Sequence, residues 1–343
     1  MKWKSFGRSG LKVSELCLGT MTLAGQADDK TSFAILDAAW DGGIRFLDTA
    51  DCYPIPIEVE TAGRTEVLLG RWMAERKNRG DLVLATKAYF AMGRLPVHRG
   101  NSRLHLQRSC EASLRRLQTD YIDLYLCHAW DNTVPVAETI EALENLRRQG
   151  KILYAGLSNV RVPELTESLL EAQRLGARGI DGLQPRYNLL YRELEDSLFP
   201  LARQQGLGVM VYNPLAGGLL TGKHQPGKAP AEGTRFTLGA SGDVYRARYW
   251  QDRLLSEAAR LHGVAAQHGM SLVTAAIAWT IAQPDISATI IGVSRPSQLA
   301  DQLRATGATL PPELKRELDD VWFALPRRPP EKDPRLEDFY RVL

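Results

Sequence analysis

Residues 43–53 read Gly-Ile-Arg-Phe-Leu-Asp-Thr-Ala-Asp-Cys-Tyr, an apolar run that ends on a carboxylate and reaches a phenol five residues later. Ile44, Phe46 and Leu47 have the β-favouring character of a buried strand, and Gly42 and Gly43 before them and Pro54 and Pro56 after them punctuate it. Asp48 therefore stands where the strand ends. Read alone, such a carboxylate is a turn-former that satisfies nearby backbone N–H groups. It becomes a candidate reactive group when other strands of the chain also end on polar side chains.

Working outward, the same grammar recurs. Upstream, a short hairpin over residues 3–10 precedes a strand over 13–18 that stops at Gly19 and Thr20. A helix capped at Asp29 then carries Phe33, Leu36 and Trp40 on one stripe, which completes a β-α-β unit with the opening strand. Downstream, a helix over 67–76 leads to a strand over 82–85 that ends at Thr86 and Lys87. Leu106, Cys110, Leu114 and Leu117 mark the next helix, and the apolar residues 122–127 lead to His128. Val136, Ile140, Leu143 and Leu146 form a stripe that Gly150 terminates. A strand over 152–157 ends at Ser158 and Asn159, a helix covers 163–175, and a strand over 180–183 ends at Gln184. A short helix over 194–204 precedes a strand over 208–212 that ends at Asn213 and Pro214. A Gly/Pro/Lys/Arg-rich loop is expected over 217–248, then helices over 251–268 and 272–282, a strand over 288–291, and a helix over 313–323.

Eight apolar strands, each followed by a helical segment, call for parallel pairing through right-handed crossovers. The most economical closure is a (β/α)8 TIM barrel with an N-terminal β-hairpin and a C-terminal helical extension, forming one domain over residues 1–343. The tail, with Pro-Arg-Arg-Pro-Pro at 326–330, is expected to pack over one barrel end. An open doubly wound sheet is the alternative, but the first strand's turn lacks the Gly-x-Gly-x-x-Gly fingerprint.

Composition bounds the function. With 343 residues, 44% hydrophobic content and a formal net charge of +3, the chain can bury a large core and has no strongly charged character. The basic series Arg94, Arg99, Arg103, Arg108, Arg115 and Arg116 reads as a solvated helix face, so no nucleic-acid partner is expected. No stretch approaches the roughly 20 apolar residues of a membrane span, and a cytoplasmic protein with no membrane partner is expected. Cys17, Cys52, Cys110 and Cys127 show no Cys-x-x-Cys spacing and read as reduced, mostly buried thiols. No His/Cys/carboxylate spacing suggests a metal.

In a barrel, side chains at the carboxyl ends of all strands converge on one mouth. Asp48, Lys87 and His128 end three successive strands, with Tyr53 one loop turn beyond the first. Taken singly, these are a turn-former, a solvated lysine, a satisfied barrel histidine and a loop aromatic. Together they form an acid–base set without a nucleophilic serine. A phenol has a pKa of about 10, and a nearby Lys87 would favour phenolate character and ease proton exchange with a substrate oxygen. Asp48 would hold the lysine.

Leu47-Asp48-Thr49-Ala50-Asp51-Cys52-Tyr53, Ala85-Thr86-Lys87 and Leu126-Cys127-His128 resemble the signatures of the aldo-keto reductase family. The likeness extends over nearly the whole chain, through Gly156-Leu157-Ser158-Asn159, Gln184-Pro185-Arg186-Tyr187-Asn188 and the stretch that runs Tyr212-Asn213-Pro214-Leu215-Ala216-Gly217 and on to Lys223. It implies carbonyl reduction with NADP(H), with Tyr53 as general acid, Lys87 and Asp48 as its tuning pair and His128 orienting the substrate oxygen. Ser158, Asn159 and Gln184 would hold the nicotinamide carboxamide and Tyr212 would stack on the ring. Gly292, Ser294, Arg295, Gln298, Asp301 and Gln302 would surround the adenosine end. Gly19, Thr20, Asp48, Asn213, Pro214, Leu215, Gly217, Lys223 and Arg235 complete the implied cofactor set. The substrate, a small-molecule aldehyde or ketone, would meet Tyr53, Tyr89, His128 and Trp130.

The chain departs from the family pattern at Ile291, where many relatives have proline, at Gln298, where many have an arginine for the 2′-phosphate, and at Asn213, where serine is common. Ser294 and Arg295 suit a phosphate in place of that arginine. The Gly-x-x-x-x-Gly-Lys of residues 217–223 imitates a P-loop, but His224 stands where its Ser or Thr belongs. Relatives of this fold also serve as potassium-channel β subunits, a second class of role. The sequence names neither the substrate nor an oligomeric state.

Overall fold

The computed structural model describes residues 1–325; the Pro-Arg-Arg-Pro-Pro stretch and the packing expected of the tail fall outside them. Trp3–Ser5 (β1) and Lys12–Ser14 (β2) pair as an antiparallel hairpin. Leu16–Gly19 (β3), Phe46–Asp48 (β4), Val83–Ala88 (β5), Ile122–Cys127 (β6), Ile152–Ser158 (β7), Gly182–Gln184 (β8), Gly208–Val211 (β9) and Ala288–Gly292 (β10) close a parallel barrel in sequence order, β10 pairing with β3. This is the expected (β/α)8 barrel.

The outer layer consists of Asp29–Asp41 (α1), Arg64–Arg76 (α2), Arg103–Leu117 (α3), Val136–Arg148 (α4), Val162–Arg174 (α5), Leu198–Gln205 (α6), Gly239–Tyr249 (α7), Asp252–Gln267 (α8), Leu272–Ile281 (α9), Leu299–Leu303 (α10) and Pro312–Ala324 (α11). Their apolar stripes pack on the outward residues of the strands. Tyr125, Leu157 and Leu183, for example, share one core with Leu106, Ile140 and Leu165.

The alternation of strand side chains builds the interior. Cys17, Phe46, Val83, Ala85, Leu124, Leu126, Met210, Ala288 and Ile290 fill the barrel with apolar volume. Two residues further along the same rows stand Asp48 after Phe46, Lys87 after Ala85, His128 after Leu126, Gln184 after Gly182 and Tyr212 after Met210. The apolar floor thus becomes a polar mouth within one pleat. Phe6, carried in by the hairpin, closes the opposite end. A Cβ on Gly182 would come within 2.2 Å of its ring, and one on Gly208 within 2.5 Å, so both strands need glycine there.

Three expectations are corrected. The strand expected over 13–18 splits at Glu15, whose backbone N–H and carboxylate both engage Lys2. Its first half therefore completes the hairpin, which spans 3–14 and not 3–10, and only its second half enters the barrel. The loop expected over 217–248 contains α7 and two 3-10 segments, Ala216–Thr221 and Arg235–Thr237. Leu219, Leu220, Phe236 and Tyr249 are buried anchors there, and Phe236 packs on Trp250 and His224 at ring separations of 4.7 and 5.0 Å. Their irregular spacing among glycines and arginines gives no period. The helix expected over 194–204 is a 3-10 turn, Glu193–Asp196, followed by α6.

Within the basic series, Arg94 pairs with Glu60, Arg103 with Glu141 and Arg116 with Glu66. Among the described residues no single helix is long and apolar enough to cross a membrane, and no group of three or more His, Cys, Asp or Glu is placed to hold a metal.

Candidate active site

The carboxyl ends of the strands open into a cleft of about 620 Å³. At its floor, Lys87 is wholly buried, and its ammonium donates to Asp48 Oδ2 at 2.8 Å and to the Thr49 carbonyl at 2.7 Å. It stands 3.4 Å from the Tyr53 hydroxyl. The other Asp48 oxygen accepts from Gln184 Nε2 at 2.7 Å, and Thr20 Oγ1 donates to the Asp48 carbonyl at 2.9 Å. The carboxylate is therefore held from two strands, β5 and β8, and its backbone from the residue that follows β3.

Burial raises the Asp48 carboxyl above its ordinary value, against the opposing pull of Lys87 and Gln184. Tyr53 is pushed well above its ordinary value by burial first and by Asp48 second. Phenolate character was the expectation, and the balance runs the other way, because burial and the neighbouring Asp48 both disfavour the charged phenolate. Tyr53 is held as a neutral phenol with a cation beside it. His128 presents its ring edge to Tyr53 and Phe90, with centroids 5.9 and 4.9 Å apart. Burial, and then Lys87, lower its pKa well below the ordinary imidazole value, so the ring is neutral at pH 7.

Around this floor the cleft walls include Gly19, Asp48, Tyr53, His128, Ser158, Asn159, Gln184, Tyr212, Asn213, Pro214, Leu215, Gly217, Lys223, Arg235, Gly292, Ser294, Arg295, Gln298, Asp301 and Gln302, all candidates from the sequence. Thr20 and Lys87 lie directly behind the walls. Tyr89 and Trp130 are not brought to the cleft: Tyr89 packs edge-on to Phe90, and Trp130 donates to Asn132 Oδ1 at 2.8 Å. Phe90, Met21, Ile55 and Ile57 line the cleft instead. Ser241, Val244, Tyr245 and Arg248, on one face of α7, line it as well and were not singled out from the sequence. Their spacing is that of a helix face, the one signal that would have found them.

The wall is braced by specific bonds. Ser158 Oγ donates to the Gln184 carbonyl at 2.8 Å, and Asn159 Nδ2 to the His128 carbonyl at 2.9 Å. Tyr212 donates to Asn159 Oδ1 at 2.7 Å. Asn159 and Asn213 hold positive φ values of 57° and 69°, where asparagine is among the few tolerated residues. Asn213 accepts from the Gly217 N–H at 2.5 Å and donates to Tyr249 at 2.9 Å, a reach that serine at this position lacks. Gln298 accepts from the Ser294 N–H at 2.8 Å and so shapes the turn after β10.

A model of the aldo/keto reductase family matches residues 15–322. The chain belongs to that family. It is 38% identical to the uncharacterized oxidoreductase YrpG of Bacillus subtilis (strain 168), over 94% of this chain and 96% of that one. It is 35% identical to a probable voltage-gated potassium channel subunit beta of Oryza sativa subsp. japonica, over 96% of this chain and 98% of that one. Against the protein tas of Escherichia coli (strain K12) the figures are 30%, 94% and 97%. Membership in the aldo/keto reductase family supports carbonyl oxidation–reduction in general, with a cofactor of the NAD(P)H type.

The residues present fit such a cofactor. Lys223 is lowered by burial and then by the charges of Arg235 and Arg295, so three cations crowd one end of the cleft, where an anion would relieve them. Gln302 donates to the Gly292 carbonyl at 3.1 Å, yet its Oε1 is buried with no partner. An acceptor left bare in the wall suits a ligand that brings an N–H or O–H.

Proposed function

We propose that the protein is an NADP(H)-dependent oxidoreductase that reduces an aldehyde or ketone to an alcohol, with Tyr53 as general acid. The observation that carries this reading is the buried Asp48–Lys87–Tyr53 chain at the cleft floor. NADPH, when bound, supplies the hydride. Tyr53 then donates its proton to the carbonyl oxygen, and the Lys87 ammonium stabilises the phenolate that forms. Asp48 and the Thr49 carbonyl hold the ammonium in position. Neutral His128 orients the same substrate oxygen.

For the cofactor, Ser158, Asn159 and Gln184 are assigned to the carboxamide, Tyr212 to the ring, Lys223 and Arg235 to the pyrophosphate, and Gly292, Ser294, Arg295, Gln298, Asp301 and Gln302 to the adenosine end. The preference for NADP(H) is supported by Arg295 beside Ser294 at the adenosine end, a guanidinium and a hydroxyl that suit a 2′-phosphate. The substrate is a small carbonyl compound, seated against Met21, Ile55, Ile57 and Phe90 and acted on in the cytoplasm. Oxidation of NADPH monitored against a panel of aldehydes, ketones, keto-sugars and pyridoxal tests the reading, and no turnover with any of them overturns it.

The probable channel β-subunit relatives favour one second reading, a cofactor-binding regulatory partner. Capture of a channel from membrane extract by a chain without reductase activity would select it.

A further inference from the structure

Cys52 lies between Asp51 and the proposed proton donor, and its Sγ is 3.9 Å from His128 Nδ1. That is the one polar contact the imidazole makes among the described residues, since its other ring contacts are with Tyr53 and Phe90 and its backbone carbonyl is taken by Asn159. Among the described residues no carboxylate or carbonyl oxygen orients the ring. In most sites a second group of that kind decides which nitrogen of a neutral histidine carries the proton.

Cys52 is wholly buried, and its pKa is pushed well above the ordinary thiol value by burial and then by Asp51, so it keeps its S–H. A neutral imidazole has one proton for two nitrogens. A thiol is a weak donor and a weaker acceptor, so the better match places S–H against a bare Nδ1. The ring proton is then on Nε2, the nitrogen left for the cleft. A protonated Nε2 can donate to a carbonyl oxygen; a bare one would set its lone pair against that oxygen's.

Resting on the reductase reading, we propose that Cys52 is a positioning residue that holds His128 in the Nε2–H form and so makes it a donor to the substrate oxygen. The role belongs to the residue type at position 52, because an apolar side chain there would leave both tautomers open.

The test compares wild type with Cys52→Val, Cys52→Ala and Cys52→Ser, each checked for folding by circular dichroism and thermal melting. In 15N-labelled protein with single-histidine assignment, wild type and Cys52→Ser show a bare Nδ1 and a protonated Nε2, whereas Cys52→Val and Cys52→Ala show a mixture. For carbonyl reduction, kcat/KM falls roughly three- to tenfold in the Val and Ala variants, the equivalent of one ordinary hydrogen bond. It recovers in the Ser variant, and NADPH affinity is unchanged throughout. A protonated Nδ1 in wild type, or Val and Ala variants with the wild-type tautomer and rate, overturns the proposal. The nitrogen spectra need no turnover, so failure of the reductase reading would appear separately, as inactivity of the wild type.

Discussion

Tyr53 holds its proton where water is scarce and a lysine ammonium is close, and both conditions bear on its task. Burial keeps the phenol protonated in the resting site, and the cation lowers the cost of the phenolate once the proton leaves. Tyr53→Phe is expected to reduce turnover by at least about 10²-fold with NADPH binding nearly intact, as read by steady-state rates and fluorescence titration. Near-wild-type turnover would remove Tyr53 from its role. Lys87→Met is expected to lower activity, alter the pH profile and leave Asp48 as an uncompensated buried charge, at a stability cost of about 3–5 kcal/mol by chemical denaturation.

Behind the site, both oxygens of Asp51 are buried, and burial first and Glu66 second raise its carboxyl well above the usual range, against the weaker opposing pull of Arg116, Ser109 and the Cys52 N–H. Its folded-state pKa therefore exceeds its unfolded one. The stability it contributes is fully present below the unfolded value of about 3.9 and is lost as pH rises from there through the folded value. Asp51→Asn is expected to be more stable than wild type at pH 7, by about 1–3 kcal/mol, and to flatten the stability–pH curve above pH 4. Urea titrations at pH 4 and pH 7 measure this, and an equal effect at both pH values would show that ionisation of Asp51 is not the cause.

At the scale of elements, the segment between β9 and α8 covers the cleft. Gln26 Nε2 donates to the Gly233 carbonyl at 2.8 Å, and Arg235 reaches the Met21 sulfur at 3.7 Å and stacks over Tyr245. Gly217 and Gly218 belong to the stretch that the sequence presents as a loop. They hold left-handed φ values of 70° and 100° in a packed turn, and a Cβ on Gly217 would meet the Tyr245 ring at 2.7 Å, so they shape the wall. The largely exposed stretch 225–232 is therefore expected to be the part that moves. Trypsin is expected to cut at Lys228 or Arg235 in the free protein and to be blocked by saturating NADPH; equal cleavage in both would show that no cover closes. After β10, Arg295→Ala is expected to weaken NADPH more than NADH, since NADPH alone carries the 2′-phosphate. Equal losses by fluorescence titration would assign Arg295 another partner.

For the whole molecule, the barrel is plugged from below by a residue that belongs to none of its strands. Phe6 is fully buried against Phe46, with ring centroids 6.5 Å apart, and against the bare backbones of Gly182 and Gly208. Phe6→Ala is expected to cost about 3–5 kcal/mol in urea unfolding, because the rigid strands around the ring cannot collapse into the space. A loss below about 1 kcal/mol would mean that the hairpin is dispensable to the barrel.

Much of this was legible in the chain. The recurrence of apolar runs and helical stripes announced the eight units, because each period reflects which face of a local element meets the core. The step from Phe46 to Asp48, from Ala85 to Lys87 and from Leu126 to His128 placed the reactive groups at strand ends. The hairpin's second strand, the helix at Gly239–Tyr249 and its cleft-lining face, and the absence of Tyr89 and Trp130 from the walls were decided by tertiary structure. So was the raised pKa of Tyr53, which depends on its burial and on the nearness of Asp48. Periodicity is a property of neighbours along the chain, whereas burial, the direction of a loop side chain and the field at a phenol are set by groups far apart in sequence, and those exist only once the barrel has closed.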